Sequence, residues 1–364
     1  MTGRREERTV PTNGSARRWV KRIGLGLVML LVAAMAAGAA LQAVADWRGA
    51  RRFPQDGRSV ALGGDYPGTT LNLNCTGTGS PTVILDSGLG LPAATWELVQ
   101  RDVATFTRVC SYDRAGYGWS SELPMPRTSG AVARELHALL AASRESAPYV
   151  LVGHSFGGYN VRVYTSRYPT DVAGLVLVDA SQEDADGAEP ASMKKSDEEL
   201  RATLIWQRTL APVLIRIGVA RFVFPAVPLG KLSEETREKV AYLNLQSKFA
   251  RAAISELEAF SQSGDEVRAT GTLGNRPLVV LTAGQEPDGA HLQKGVSLAE
   301  ARAFHQVWVN DLQVRLARLS TRGRQVIVPD SNHGIPVERP DAVAAAIRDV
   351  CGEVRNDAVQ TRLR

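Results

Sequence analysis

The sequence has 364 residues, of which 44% are hydrophobic, so the chain is long enough to bury one large core or two modest ones. Its formal net charge is +5, but the first 52 residues hold ten Lys or Arg against three acids. Residues 53–364 therefore carry a net charge of −2, so the basic character belongs to the N-terminal arm and does not indicate a nucleic-acid-binding face; we expect no nucleic-acid partner.

Residues 23–45 contain no charged side chain and are almost wholly apolar. A transmembrane helix needs about 20 such residues, so this segment is long enough to span a bilayer. A cleaved signal peptide is the alternative, because Ala43-Val44-Ala45 has the small-x-small form of a cleavage site. We favour an uncleaved anchor, since the apolar region of a signal peptide is typically only about 7–15 residues long.

The basic residues flanking this segment predict its orientation. Seven Lys or Arg lie in residues 1–22 and four lie in residues 46–58. The positive-inside rule then makes residues 1–22 a cytoplasmic basic arm and places residues 46–364 outside. We expect a single-pass protein of the cell membrane, or a secreted protein if the chain is cleaved after Ala45.

Short apolar runs alternate with helical patterns after a polar tether at residues 46–58. The predicted strands are 59–64, 69–76, 82–87, 108–113, 149–154, 174–180, 277–283 and 324–330. The predicted helices between and after them are 95–106, 128–144, 156–168, 298–321 and 337–350. Apolar strands separated by helices indicate a mostly parallel eight-stranded α/β sheet with helices on both faces. The first two strands lack an intervening helix, so they are expected to pair as an antiparallel hairpin.

Residues 183–265 carry no strand pattern, and a structureless loop of this length would be unusual. We predict a helical cap here, inserted into a core formed by residues 59–182 and 266–354 and followed by a tail at 355–364.

The cap contains an apolar run at residues 203–230 behind an acidic, small-residue lead-in. This combination is expected of a lid over an apolar cavity. We expect the cap to form the acyl side of a substrate pocket, with Trp206 and Phe224 contributing to it.

The stretch "YVLVGHSFGGYN", residues 149–160, joins a strand to a helix through Gly153-x-Ser155-x-Gly157. A serine at such a sharp turn is held in strained geometry, and the flanking glycines avoid steric clashes with it. The turn presents the hydroxyl at the carboxyl end of the sheet, where α/β proteins place their sites. The pattern predicts that Ser155 is a nucleophile.

Three segments, "GHSFGG", "SYDRAGYGWS" and "NHGIPVERPDAV", resemble the α/β-hydrolase superfamily, in its branch of capped esterases and epoxide hydrolases. The resemblance covers about residues 59–352 and leaves the N-terminal segment outside. It implies hydrolysis of esters and related bonds through an acyl-enzyme, without a metal or an organic cofactor. It also implies that Asp113 and Arg114 hold the loop behind the site.

Ser155 requires a base, and the resemblance points to His333 in the turn after the last strand. Asn332 stands where the family usually has Gly. His154 adjoins the serine but faces the other way along the strand, so we expect a structural role. The remaining histidines fall in helical or loop patterns with no special context: His137, His291 and His305.

The acid that orients the histidine has more than one candidate. The family most often takes it from the loop after the seventh strand, which offers Glu286 and Asp288. Neither residue has the usual spacing, because Pro287 stands at the expected position. Some members take the acid from the end of the sixth strand, where this chain has Asp179. We favour Asp179, with Asp288 next.

The oxyanion hole is expected to use two backbone amides, those of Leu89 and Phe156. Phe156 directly follows the serine, and Leu89 lies in the loop after the third strand. In that loop Gly88 matches the family pattern, and Ser87 replaces the usual histidine.

The chain is therefore expected to be a membrane-tethered, exported serine hydrolase of small-molecule esters that uses Ser155, His333 and Asp179. The serine argues against epoxide hydrolase and dehalogenase chemistry, which uses an aspartate nucleophile in this superfamily. Peptidase, thioesterase and acyltransferase activities remain open, because they use the same triad. A non-catalytic, membrane-anchored binding protein on a hydrolase scaffold is the alternative from a different class.

In the sheet order of the superfamily, the strands that carry Cys75 and Cys110 are antiparallel neighbours. We therefore expect these two residues to form a disulfide bond, which an exported domain permits. Cys351, near the end of the last helix, is left as the odd thiol.

Overall fold

A computed structural model describes residues 14–223, 229–290 and 292–363. Within these residues, eight strands form one sheet: β1 (Arg58–Gly63), β2 (Tyr66–Thr76), β3 (Thr82–Asp86), β4 (Val109–Tyr112), β5 (Tyr149–His154), β6 (Val172–Val178), β7 (Leu278–Ala283) and β8 (Gly323–Val328). Their spatial order is β1-β2-β4-β3-β5-β6-β7-β8. Strands β1 and β2 form the predicted antiparallel hairpin, and β3 to β8 run parallel.

The helices of the described residues are α1 (Gly14–Arg52), α2 (Glu97–Val103), α3 (Ser129–Ser143), α4 (Phe156–Arg167), α5 (Ala185–Ala188), α6 (Ala191–Arg216), α7 (Ala220–Val223), α8 (Glu234–Asn244), α9 (Ser247–Glu258), α10 (Phe260–Arg268), α11 (Leu298–Val307), α12 (Gln313–Ala317), α13 (Ile335–Glu338) and α14 (Pro340–Arg362). Short 3₁₀ turns occur at Ala93–Trp96 and Pro169–Asp171, and a π-helical turn at Trp308–Leu312 joins α11 to α12.

The sheet is buried on both faces, which is why its central strands are continuously apolar. In β3, Val83 and Leu85 pack in the layer that contains α2 and α14, while Ile84 packs in the layer that contains α3 and α4. Burying each such side chain contributes about 1.5–3 kcal/mol. The alternation fixes the register of the sheet, because a slip by one residue would exchange the two faces.

The predicted cap segment, residues 183–265, is helical wherever the structure describes it. It contains α5 to α9 and most of α10, which ends at Arg268. Helices α6 and α9 pack against each other, and Ala211, Ile215 and Ala250 are buried between them. Phe224 lies outside the described residues.

One helix among the described residues, spanning Arg17–Arg52, is long and apolar enough to cross a membrane, a test that a signal sequence also passes. The segment at 46–58, expected to be a polar tether, is helical as far as Arg52. Basic side chains at Arg51 and Arg52 are favourable at a helix C-terminus, and Phe53 packs against Tyr242 of the cap with 5.9 Å between ring centroids. These contacts extend the helix where composition alone suggested a loop.

The expected disulfide between Cys75 and Cys110 is confirmed. The two residues lie directly opposite each other on the antiparallel pair β2 and β4, with 4.0 Å between their Cα atoms. Cys351 is the buried free thiol. Burial raises the pKa of this thiol to about 11, so it stays protonated and unreactive at neutral pH.

Replacing both Cys75 and Cys110 with Ala should lower the free energy of unfolding by about 3–4 kcal/mol, because the bond closes a loop of 35 residues. Urea unfolding of the full chain in detergent checks this. Dithiothreitol should destabilise the wild-type chain by a similar amount and leave the double variant unaffected. Equal sensitivity of both proteins to the reductant would contradict the assignment.

Candidate active site

Ser155 lies at the sharp turn between β5 and α4, with φ 52° and ψ −120°. This strained conformation is held by backbone hydrogen bonds to the neighbouring strand and the loop after it. The Ser155 amide donates to Val178 (3.2 Å), and its carbonyl accepts from the amides of Gly158 (2.9 Å) and Ser181 (3.0 Å). A side chain at Gly153 would come within 2.5 Å of the Gly157 carbonyl oxygen, which explains why the turn requires glycine there.

Asp179 directly follows β6 and His333 lies in the turn after β8, and the two side chains contact each other beside the Ser155 turn. The Nδ1 atom of His333 lies 2.7 Å from Oδ2 of Asp179. The other carboxylate oxygen, Oδ1, accepts hydrogen bonds from the Ala283 amide (3.0 Å) and the indole Nε1 of Trp308 (2.9 Å). Asp179 is nearly fully buried, whereas 57% of the His333 side chain is exposed. A buried, fully bonded carboxylate therefore orients an imidazole whose opposite edge is accessible.

Asp179 and His333 each stabilise the charged form of the other. Partial desolvation of the ring disfavours the imidazolium, but the hydrogen bond and the charge of Asp179 outweigh it and raise the pKa of His333 above its ordinary value. Burial likewise opposes ionisation of Asp179, but its hydrogen bonds to His333, Trp308 and Ala283 lower the pKa of its carboxyl. At neutral pH the site thus holds an aspartate beside a histidine that accepts a proton more readily than free imidazole does.

His154 has the structural surroundings expected for it. Its Nε2 lies 2.9 Å from the backbone carbonyl oxygen of His333, and its ring packs edge-on against Trp96 at 6.4 Å between centroids. Burial, and then the nearby charge of His333, lower the pKa of His154 to about 3. The ring is therefore neutral at physiological pH, and it ties the His333 loop to the turn that carries Ser155.

Asp179 is the candidate acid that contacts His333, whereas Asp288 lies in the β7 loop and accepts a hydrogen bond from the Ala290 amide (3.0 Å). Asp179 itself has φ 39°, an unusual value for a residue other than glycine. Trp308 was missed by sequence reasoning. Its indole reaches Asp179 from a π-helical turn, a local widening of the helix that nothing in the sequence marked.

The loop after β3, residues 86–90, passes close to Ser155 and is called the β3 loop below. A side chain on Gly88 would lie 3.3 Å from Cβ of Ser155 and 3.0 Å from Nδ1 of His154. The amide of Phe156 is at the first position of α4, where helix geometry leaves amides without an intrahelical partner. Leu89 and Phe156, the expected oxyanion donors, thus lie on the two segments that meet at Ser155.

Arg114 fixes the conformation of the β3 loop from behind. Its Nη1 atom donates to Oδ1 of Asp86 (2.8 Å) and to the carbonyl of Ser87 (2.6 Å), and its Nη2 donates to the carbonyl of Gly88 (3.0 Å). With both carbonyls held on one side, the amide of the following residue, Leu89, is constrained in direction. The role that the family resemblance implied for Arg114 is consistent with these bonds.

The same guanidinium also reaches the cap. Its Nε and Nη2 atoms donate to both carboxylate oxygens of Glu256 in α9, at 2.8 and 2.9 Å. Tyr117 donates to Glu256 (2.5 Å) and accepts from the amide of Gly90 (3.2 Å), which adds a second link between cap and β3 loop. All three side chains are almost completely buried. Burial opposes the charge of Arg114, but Glu256 and then Asp86 raise the pKa of its guanidinium.

Glu256 was also missed, although the sequence held a signal for it. It follows Phe249, Ala252 and Ala253 at the spacing of one helical face, so it continues the buried face of α9. A carboxylate at a core position of an amphipathic helix requires a buried partner. That partner could have been sought among the arginines.

Two other features lie apart from this site. A cavity of about 440 Å³ is lined by Trp119, Asn74 and Lys239 among others, but not by Ser155 or His333. In the described part of the chain, Cys75, Cys110 and Glu145 place three potential metal-ligand atoms within 4.8 Å of one another. Its two sulfur atoms are bonded to each other and so offer no thiolate to a metal.

Residues 83–346 match the model of the alpha/beta hydrolase family. The uncharacterized protein YqjL of Bacillus subtilis is 26% identical over 275 residues, which cover 75% of this chain and 85% of that protein.

Two solved structures have the same fold. A thermophilic esterase from Thermogutta terrifontis is 24% identical with a TM-score of 0.54, covering 82% of this chain and 98% of that one. A structure described as a membrane phospholipase A, a bacterial virulence factor, is 21% identical with a TM-score of 0.54, covering 92% and 99%.

Replacing Glu256 with Gln should lower the free energy of unfolding by about 3 kcal/mol, because Arg114 keeps its buried charge and loses one of its two anionic partners. The matched control is Glu122→Gln, which breaks an exposed ion pair with Arg251, another residue of α9. That change should cost at most about 1 kcal/mol. Chemical unfolding of both variants measures the difference. Equal losses in the free energy of unfolding would show that the buried ion pair stabilises the fold no more than the exposed one does.

Proposed function

Because the chain belongs to the alpha/beta hydrolase family, we propose that it hydrolyses carboxylic esters through an acyl-enzyme formed on Ser155. The observation that carries the proposal is the 2.7 Å contact between His333 and Asp179 beside the strained turn of Ser155. A serine hydroxyl is a poor nucleophile until an oriented base removes its proton. This pair supplies such a base.

In the proposed reaction, Nε2 of His333 accepts the hydroxyl proton as Ser155 Oγ attacks the ester carbonyl. The amides of Leu89 and Phe156 donate to the oxyanion, and each such donor lowers the barrier by about 3–4 kcal/mol. The imidazolium then gives its proton to the leaving alkoxide. Water, deprotonated by the same histidine, attacks the acyl-enzyme and releases the carboxylic acid.

Esters are the preferred substrate class for two reasons. An alkoxide is a better leaving group than an amide nitrogen, so ester cleavage depends less on protonation by His333. The solved structures named an esterase and a phospholipase also favour ester bonds over amides.

We further propose that α1 is retained as a membrane anchor with the hydrolase domain outside the cytoplasm. The helix is long and apolar enough, and more Lys and Arg precede the apolar segment than follow it. The bond between Cys75 and Cys110 supports an oxidising compartment, because such bonds are rare in cytosolic proteins.

Ser155 should react with a fluorophosphonate probe in the folded protein, and Ser155→Ala should abolish both the labelling and the hydrolysis of nitrophenyl esters. The reason is that the probe reacts only with an activated serine. Ser59→Ala, at an exposed position of β1, is the matched control and should label normally. A folded wild-type chain that fails to label would instead favour a non-catalytic binding protein.

Asp179→Asn should lower kcat by about 10⁴, as the loss of the orienting acid does in a comparable triad. Asp288→Asn is the control and should keep most activity. Since His333 must be neutral to act, kcat/KM should fall as the pH drops through its raised pKa, with a midpoint above about 6.5. The residual activity of Asp179→Asn should have a lower midpoint. A large loss in Asp288→Asn and a small one in Asp179→Asn would refute the assignment.

A further inference from the structure

Helix α6 of the cap has an exposed apolar face as well as a buried one. Trp206, Leu210 and Val213 follow each other at intervals of four and three residues, so they share one face of the helix, and their exposures are 69%, 46% and 53%. Ala211 and Ile215 on the opposite face are buried against the rest of the cap. Trp206, which we expected at the substrate pocket, therefore lies on the outer surface.

The exposed face of α6 leads directly to the membrane-spanning candidate, α1. Ile217 lies four residues after Val213, so it continues the same face. The backbone of Ile217 packs closely on Gly38 of α1, so that any side chain at position 38 would overlap the carbonyl group of Ile217. Gly218 packs on the backbone of Gly38 as well. Just beyond, Arg221 donates to the side chain of Gln42 at 3.0 Å.

Further contacts fix the end of α1 to the cap. Gly49 packs against the ring of Tyr242 in α8, and Arg52 pairs with Glu238 of the same helix. The last four turns of α1 are therefore seated on the cap helices, so the cap is next to the point where the chain would leave a membrane.

The position of Gly38 along α1 gives the depth of this contact relative to the end of the candidate membrane span. A span of about 20 residues that starts at Ile23 ends near Gln42, so Gly38 lies about one turn inside that end. The adjoining cap residues Val219 and Phe222 are exposed, and Phe222 at 89% is among the most exposed large apolar side chains described. The apolar face of the cap thus begins at the level where the hydrocarbon layer would end.

We propose that a phospholipid bilayer covers this surface, defined as Trp206, Leu210, Val213, Val219 and Phe222 and called the cap face below. A contiguous exposed apolar patch marks an interaction site, and aromatic side chains are favoured at the membrane interface. Continuity with the contact between α1 and α6 identifies the occupant as the same membrane that holds α1. This proposal rests on the proposed ester hydrolysis and adds a substrate class to it, namely long-chain acyl esters presented in that bilayer.

The surface is tested with a polarity-sensitive fluorophore. The fluorophore NBD is attached to the full chain at Leu210→Cys, or at Val359→Cys as a control. Val359 is also exposed, at 57% against 46% for Leu210, but lies on α14. In phosphatidylcholine vesicles, NBD at position 210 should brighten severalfold, shift to the blue and be quenched by lipid-borne nitroxide. The label at 359 should respond to neither. An unresponsive label at 210 would overturn the proposal.

A second copy of the chain is the rival occupant. If it covered the cap face, NBD at position 210 would brighten with protein concentration in detergent, without lipid quenching, and cross-linking would capture a dimer through α6. That result would also overturn the membrane assignment.

Hydrolysis then tests the substrate class separately. Replacing Trp206, Leu210 and Phe222 together with Ser should reduce the ratio of vesicle phosphatidylcholine turnover to nitrophenyl acetate turnover by at least about tenfold. Taking the ratio removes any general loss of folded enzyme, and Val359→Ser should leave it unchanged. A constant ratio in the triple variant would refute the link to substrate. A wild-type chain that cleaves neither ester would refute the proposed function, while the NBD result would still decide the surface.

Discussion

The candidate site depends on the hydrogen bonds and ion pairs of the buried Arg114 guanidinium. It joins Asp86 at the end of β3, the carbonyls of Ser87 and Gly88, and Glu256 of the cap. Core, β3 loop and cap therefore share one desolvated charge, and none of them can shift without leaving that charge unsatisfied. Because an unpaired buried charge costs several kcal/mol, the network resists separation of the cap from the loop that passes Ser155.

Sequence reasoning was most successful where a local constraint dictates the structure. The glycines around Ser155 are demanded by a turn in which backbone atoms nearly touch, so the motif can be recognised without tertiary information. The same holds for the sheet, whose apolar strands leave few possible arrangements. The strand order then placed Cys75 opposite Cys110, and it brought Asp179 and His333 to one edge.

The features that sequence reasoning missed depend on packing between distant segments. Trp308 reaches Asp179 only because the helix widens there, and no composition rule anticipates that turn. The helical state of residues 46–52 depends on docking against the cap rather than on propensity, so the segment was mistaken for a tether. The outward position of Trp206 has a similar origin, since α6 is apolar on two faces and its pattern does not reveal which one faces the core.

The close approach of Gly38 to Gly218 has a consequence for any processed form of the protein. Cutting the chain after Ala45 would remove Gly38 and Gln42 but leave Gly49 and Arg52 attached to α8. The severed molecule would retain a helical stub in which Asp46 still pairs with Arg221 at 3.7 Å. The backbone at Ile217 would lose its contact with Gly38, and Arg221 would lose its hydrogen bond to Gln42. Helix α1 is thus packed into the cap, and a chain cut after Ala45 would have an altered cap as well as a shorter N-terminus.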